Sequence, residues 1–419
     1  MAALLQGKAM LSGCRALDLT DEKGFLCGKI LADLGVDVIK IERPGGDPSR
    51  RIGPFWHDIP DPEKSLYWFS YNSSKRGVTL DIETADGREI LKRLAKTADF
   101  VIESFAPGYM DRMGLGYGAL KEISPRIVHI SITPFGQKGP YKDFQGSDII
   151  VMGMSGIPYL TGDSDRPPLN ISLPQSHLLA GADGAVGAMV AHYHRERTGR
   201  GQHVDVSMQQ STAWFLANTL PYWEMSETNL GRVGAMRSMN ARESTQRQVW
   251  PCKDGYVFFF MLGGETGAKP FRRLVKWMDN EGMGDEYLRN LRWEELDMGT
   301  VTQDVLDHIA KPIGAFFLTR TKKEVLEAAI ERNISLCSLS SMEDLVGDRN
   351  LRDRNFWIDI DHPELGGKLP YPRQFAEMSA QSISTRFRAP LIGEHNGEVY
   401  GEIGLSLKDL VVLKQAGVI

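Results

Sequence analysis

A doubly wound α/β domain joined to a smaller α+β domain is the fold class this sequence predicts, on three observations. Short β-branched strands alternate with helical segments through the first 132 residues, the pattern of a parallel sheet covered on both faces. After about residue 228 the character changes to aromatic strands around an Asp-Gly turn, followed by charged helices. The length of 419 residues also exceeds what one ordinary core holds, which calls for two bodies or a large domain with an insertion.

The first strand is Arg15–Leu19. A helix from Phe25 to Leu34 stops at Gly35, and the β-branched strand Val36–Glu42 follows, which makes a βαβ unit with a right-handed crossover. The alternation returns as strand Gly77–Asp81, helix Ala85–Ala98 and strand Asp99–Glu103, and Arg126–Ile132 adds a further strand. To this point the chain reads as a Rossmann-like sheet. Leu178–Arg197 is an Ala/Gly-rich helix of close-packing character, ended by the turn Thr198-Gly199-Arg200-Gly201. Strand Gln202–Met208, one long helical stretch from Gln209 to about Glu227, and a polar linker Gly231–Arg247 come next. Val249–Phe260 reads as a hairpin turning at Asp254-Gly255, with helices through about Arg332. The domains expected are therefore 1–227 (large α/β), 228–335 (small α+β) and a C-terminal portion, 336–419.

Composition narrows the function. A net charge of -5 with interspersed signs gives no single-sign field that would draw the chain to nucleic acid. Cys14, Cys27, Cys252 and Cys337 lie far apart with no Cys-x-x-Cys pair, against a zinc site or redox dithiol and in keeping with a reducing cytoplasm. The N-terminus, Met1–Lys8, lacks the pattern of a signal peptide, and no stretch approaches the roughly 20 apolar residues of a membrane helix. Glu42, at the end of the second strand, invites a dinucleotide reading. The first turn, Thr20-Asp21-Glu22-Lys23-Gly24-Phe25, argues against it, with one glycine where the fingerprint needs three and two acids where a pyrophosphate would sit.

Several separate motifs then carry a resemblance that covers nearly the whole chain. They are Leu31–Pro44, Asn72-Ser73-Ser74-Lys75-Arg76-Gly77, Glu103-Ser104-Phe105-Ala106-Pro107-Gly108 with Asp111-Arg112-Met113-Gly114, Pro168–Gly181 running into Thr198–Met208, and Gly393-Glu394-His395. Together they resemble the family III CoA-transferases, the group of formyl-CoA transferase, carnitine CoA-transferase and the α-methylacyl-CoA racemases. The resemblance implies an interlocked dimer, a C-terminal tail that returns to the large domain, and a CoA thioester as substrate with no permanently bound cofactor. It also implies CoA contacts at Arg43, Lys75, Phe105 and Arg112, and a glycine loop near Gly263-Gly264 that closes over the intermediate.

The transferases of the family carry a nucleophilic Asp four residues before the glycine of the central helix and 21 before the threonine of the following turn. Both counts fall on His177. By resemblance, that Asp attacks an acyl-CoA to give a mixed anhydride, and the freed thiolate then converts it to an aspartyl-CoA thioester from which an incoming acid takes the CoA. An imidazole makes only a water-labile acyl-imidazole and has no carbonyl to hold CoA, so His177 is a poor replacement and reads as catalytically silent. Asp183 is displaced around the helix by about 9 Å along its axis and reads as a capping or packing residue. Asp148 is expected to cap the segment that follows it. By the same resemblance the racemase His falls on Ser147 and its Asp at or next to His177, so racemization is not expected. Trp214, Phe215, Tyr222 and Trp223 read as core aromatics rather than an acceptor pocket.

A narrower resemblance, through Asp47–Phe55 and Glu63–Phe69, is to the first, non-nucleophilic subunits of succinyl-CoA:(R)-benzylsuccinate CoA-transferases of anaerobic toluene breakdown. It implies succinyl-CoA as donor, a carboxylic acid such as benzylsuccinate as acceptor, and a homologous Asp-bearing subunit as partner, with no nucleic acid or membrane partner. A homodimer with a displaced nucleophile and a non-catalytic CoA-ester-binding homologue are the alternatives.

Overall fold

The computed structural model describes residues 9–239 and 244–419. The Met1–Lys8 stretch and the middle of the polar linker lie outside the described residues. The described chain divides into two units.

The first unit holds Ile171–Met225 and Arg349–Ile419 together with the chain up to Ile157. Its sheet has six parallel strands, β1 (Arg15–Leu19), β2 (Asp37–Glu42), β3 (Arg76–Thr79), β4 (Phe100–Glu103), β5 (Val128–Thr133) and β6 (His203–Ser207), in the order β3-β2-β1-β4-β5-β6. Strands β4 and β5 are buried along their whole length, as a parallel sheet with both faces covered requires. The helices in chain order are α1 (Phe25–Asp33), α2 (Leu66–Asn72), α3 (Ala85–Ala95), α4 (Tyr109–Arg112), α5 (Tyr117–Ile123), α6 (Asp148–Ser155), α7 (Ile157–Leu160, which falls mostly in the second unit), α8 (Gln175–Thr198), α9 (Met208–Trp214) and α10 (Leu220–Ser226). On one face Ala16, Val38, Phe100, Ile102, Ile130 and Ile132 pack under Leu31 of α1 and Ala180, Ala185 and Ala188 of α8. On the other, Leu17, Ile39, Ile41, Val78 and Val101 pack under Ile90, Leu91 and Leu94 of α3. The small residues of α8 allow close approach to α1, since a Cβ on Gly181 would come within 2.9 Å of Leu26.

The second unit is Pro158–Asn170 with Ser226–Asp348, wider than the span 228–335 read from sequence. Two features account for the difference. Leu169 N–H donates to the Thr161 carbonyl and Gly234 N–H to the Gly162 carbonyl, which ties the early segment to this unit. At the other end β11 (Leu336–Ser338) completes a three-stranded antiparallel sheet with β9 (Val249–Cys252) and β10 (Gly255–Phe259), whose hairpin turns at Asp254-Gly255. On either side of the undescribed residues, the expected linker forms β7 (Met236–Met239) paired antiparallel to β8 (Ser244–Arg247). Helices α11 (Gly264–Asn280), α12 (Glu286–Asn290), α13 (Gln303–Phe317) and α14 (Lys322–Arg332) close an aromatic core in which Phe271 stacks on Trp293 at 4.2 Å, and α15 (Met342–Gly347) follows.

The end of the chain adds α16 (Arg349–Asp353), the hairpin β12 (Trp357–His362) and β13 (Gly367–Pro372), and helices α17 (Asn396–Glu402) and α18 (Leu407–Gln415) to the first unit. It is sewn to β3: His395 N–H donates to the Gly77 carbonyl, Gly77 N–H to His395 Nδ1, and the Tyr400 hydroxyl to the Thr79 carbonyl. Val399, Tyr400 and Val418 enter the α3 side of the core.

Two expectations need correction. The stretch 209–227 is not one helix, because Pro221 fits the first turn of a new helix and not the interior of an old one. The aromatics there are not core: Trp214 is 77% exposed, and Phe215, Tyr222 and Trp223 are exposed as well.

Candidate active site

The strand order reverses direction between β1 and β4, and in doubly wound sheets the carboxyl ends of strands at that switch point form the ligand crevice. A cavity of about 250 Å³ lies there, lined by Leu19, Thr20, Glu42, Arg43, Phe105 and Tyr109 among others. Phe105 and Tyr109 stack with ring centres 4.7 Å apart, an apolar slot at the rim. Glu83 ties that rim together, accepting from Arg43 Nη2 at 3.1 Å and from the Tyr109 hydroxyl at 3.1 Å. Arg112 is exposed, with its guanidinium 6.0 Å from the centre of the Tyr109 ring. Of the four residues expected to contact CoA, Arg43 and Phe105 line this crevice and Arg112 lies beside it, against Tyr109. Tyr109 was missed by sequence reasoning, although an aromatic four residues after Phe105 was the available signal.

Lys75 is placed differently. It is fully buried, and its ammonium donates to Asp18 Oδ2 at 2.8 Å, the Phe25 carbonyl at 3.0 Å and Asn72 Oδ1 at 3.0 Å. An ammonium has three donors, so none is left for a phosphate. Gly28 is what lets this pair sit under α1, because a Cβ there would lie 2.2 Å from Asp18 Oδ2. Burial pushes the Asp18 carboxyl up, but Lys75 and Lys40 outweigh it and hold it below the usual range. Glu42 is equally spoken for: Arg50 grips it through Nε at 2.6 Å and Nη2 at 2.8 Å, which removes the acid a dinucleotide ribose would need.

His177 occupies the third position of α8. Both ring nitrogens are buried and neither has a hydrogen-bond partner. Burial lowers its pKa, and Lys23 adds to this while Asp148 opposes it, so the imidazole is neutral at pH 7. Asp148 does not cap its own helix. Its Oδ1 accepts from the Ser176 N–H at 2.9 Å and the Ser176 hydroxyl at 2.7 Å, so it braces the start of α8, where Pro174 offers no capping side chain. Asp183 is exposed and neither caps nor packs. Gly263 and Gly264 open α11 rather than a free loop, with Gly264 N–H bound to the Leu296 carbonyl at 3.0 Å.

A larger groove of about 410 Å³ in the second unit, lined by Trp250, Leu306 and Leu318 among others, contains none of these residues. Among the described residues no group of His, Cys, Asp and Glu could hold a metal ion, and no helix is long and apolar enough to cross a membrane.

The sequence model of CoA-transferase family III matches residues 11–396. The chain belongs to CoA-transferase family III. Within that family it is similar to subunit BbsE of the succinyl-CoA:(R)-benzylsuccinate CoA-transferase of Thauera aromatica, 32% identical over 97% of each chain. It is 33% identical to a formyl-CoA:oxalate CoA-transferase of Streptomyces avermitilis over 98% of this chain and 99% of that one. Among solved structures, a CAIB/BAIF family protein from Brucella suis superposes with a TM-score of 0.81 at 27% identity, covering 95% of this chain and all of the other. The Rossmann-like fold is therefore that of the family, and the chain is a CoA-transferase whose substrates include CoA thioesters.

Proposed function

We propose that this chain is the non-nucleophilic subunit of a heteromeric CoA-transferase that moves CoA from succinyl-CoA to a free acid of the benzylsuccinate type, with a homologous Asp-bearing chain as partner. One observation carries the reading. Where the family resemblance implies the nucleophilic Asp, this chain has a buried, neutral imidazole with no partner. The likeness to BbsE, itself named as a subunit, supports it, as does a 29% identical relative from Chloroflexus aurantiacus named as a beta subunit. Exposed Val186, Val190, Tyr193, Trp214 and Phe215 offer apolar surface for a partner.

In this scheme the partner's carboxylate oxygen attacks the succinyl carbonyl, the C–S bond breaks and CoA thiolate leaves. The thiolate then attacks the aspartyl carbonyl, succinate leaves, and the acceptor acid repeats the two steps in reverse order to depart as its CoA ester. Arg43, Phe105 and Arg112, with Tyr109, hold the nucleotide end of a CoA ester in the crevice, the aromatic pair flanking the adenine and the guanidiniums reaching its phosphates. Lys75 serves from beneath, fixing the β1 end through Asp18. His177 takes no part in the transfer. A cytoplasmic setting suits the four free cysteines.

The test is the intact mass of each chain after incubation with succinyl-CoA, for this chain alone and after co-expression with an Asp-bearing homologue. The expected result is an acyl or CoA adduct on the partner only. An adduct on this chain alone would overturn the reading and locate a nucleophile of its own.

A further inference from the structure

Behind the crevice lies a second, polar pocket of about 160 Å³, lined by Glu103, Asp111, Tyr117, His129, Ser131 and His203 among others. It exists because the β5 and β6 side chains on this face change character. Where Leu17, Ile39 and Val101 make core on neighbouring strands, β5 presents His129, Ser131 and Thr133, and β6 presents His203 and Asp205. This side of the sheet is therefore polar rather than apolar. Ser131 Oγ and His203 Nε2 are 2.9 Å apart, and the Tyr117 ring stacks on His203 at 5.9 Å. His129 is only 2% exposed, and neither of its ring nitrogens has a partner, so the pocket is built to be polar without being saturated.

Glu103 stands between this pocket and the crevice. It is the last residue of β4, 3% exposed, and its Oε2 accepts the Phe105 N–H at 2.7 Å. That bond sets the turn from which Phe105 reaches its stack with Tyr109. The next residue is pinned as well, since the Ser104 hydroxyl donates to Asp21 Oδ1 at 2.7 Å and accepts from the Asp21 N–H at 2.8 Å.

We propose that Glu103 is a positioning residue for CoA binding: its carboxyl holds the Phe105–Tyr109 platform through the Phe105 amide, and the polar pocket behind it lets a proton reach that carboxyl and slacken the platform. The proposal rests on the crevice being the nucleotide site. A charged acceptor binds an amide more strongly than a neutral one, so the platform is firmest when Glu103 is ionised. Burial raises the Glu103 carboxyl to about 7, against the hydrogen bonds from Ser131 and Phe105 that favour its charged form, and Asp21 and Asp111 push it further up. The other titratable groups facing it are His129 and His203. Burial lowers both, His129 to about 3, with the Asp205 and Asp111 charges opposing the shift at His203 and Lys138 adding to it. Both rings are thus held toward the neutral form, and Glu103 is the group of this cluster raised to a value near neutrality.

The experiment uses the assembled enzyme, wild type and Glu103→Gln, titrated calorimetrically with free coenzyme A at pH 6, 7 and 8. Gln keeps an acceptor of the same shape but cannot ionise, and the phosphate's own titration is common to both proteins and cancels in the ratio. Wild type is expected to bind about fivefold tighter than Glu103→Gln at pH 8, the difference between a charged and a neutral acceptor, with the advantage gone at pH 6. Hydrogen exchange at the Phe105 amide, corrected for intrinsic rate, is expected to speed up from pH 8 to pH 6 in wild type and stay level in the variant. A binding ratio that does not change with pH would overturn the proposal, and so would tighter binding by Glu103→Gln at pH 8, which would make Glu103 a repelling charge instead. Failure of wild type to bind coenzyme A at any pH would sink the crevice assignment and this proposal with it, whereas failure of the ratio alone sinks only the role of Glu103.

Discussion

The crevice at the carboxyl ends of β1 to β4 and the start of α8 belong to the same unit, yet they differ in what they retain. The crevice gathers an exposed guanidinium at Arg43 and the stacked pair Phe105–Tyr109, with a second guanidinium at Arg112 beside them, the groups that the proposed reading gives to a nucleotide. The start of α8 keeps its scaffold, with Asp148 bracing Ser176, but presents an imidazole that bonds to nothing. Binding depends on several side chains spread over a surface and tolerates the loss of any one. Covalent transfer depends on the two oxygens of a single carboxylate. On the proposed reading, a binding surface outlasts the chemistry beside it.

The largest effect is expected beneath the crevice. Lys75→Met would leave the Asp18 carboxylate buried without its ion pair, and urea unfolding should show a loss of about 3–5 kcal/mol. A variant that unfolds normally and loses only CoA affinity would return Lys75 to the list of ligand contacts. Arg43→Ala should do the reverse. With its ion pair to Glu83 largely exposed, it should unfold like wild type while coenzyme A binding by calorimetry weakens about tenfold, as loss of a charge-assisted bond to phosphate implies.

Smaller effects sharpen the α8 side. Asp148→Ala removes the acceptor for Ser176 and should lower the unfolding free energy by about 1 kcal/mol, with the helix start as its locus in hydrogen exchange. His177→Ala should leave kcat/KM of the assembled enzyme within about twofold of wild type, and a drop of a hundredfold would contradict a silent His177. Acid also bears on the comparison through His129. Its folded pKa, about 3, lies below the ordinary 6.5, so the folded state binds its proton less readily than the unfolded chain does. Stability is thus present in full above pH 6.5 and falls as the pH drops toward 3, and His129→Phe should flatten part of that slope in urea titrations at stepped pH.

Much of this was legible from residues alone. β1 at Arg15–Leu19 and the hairpin at Asp254-Gly255 were readable because apolar alternation and turn chemistry are local signals. That His177 stands where the resemblance implies the nucleophile was readable too, because it depends on spacing along one helix. Phe105 and Arg43 carried the motif, but their meeting at one rim with Tyr109 and Glu83 joins β2, the chain after β3 and the start of α4.

Residue type and spacing thus carried the alternation of strands and helices, the family, and the place of His177 within its motif. Only the tertiary structure decided which cations face outward. Lys75 and Arg43 are both basic residues next to strands, and nothing local distinguishes them. The difference is that Asp18, the Phe25 carbonyl and Asn72 converge on one ammonium, while Arg43 stays exposed at the rim, paired with the equally exposed Glu83. The same holds for the aromatics near Trp214, whose helical spacing suits a core but whose surroundings leave them exposed. Burial is a property of what converges on a side chain from distant parts of the chain, and that is fixed by packing rather than by pattern.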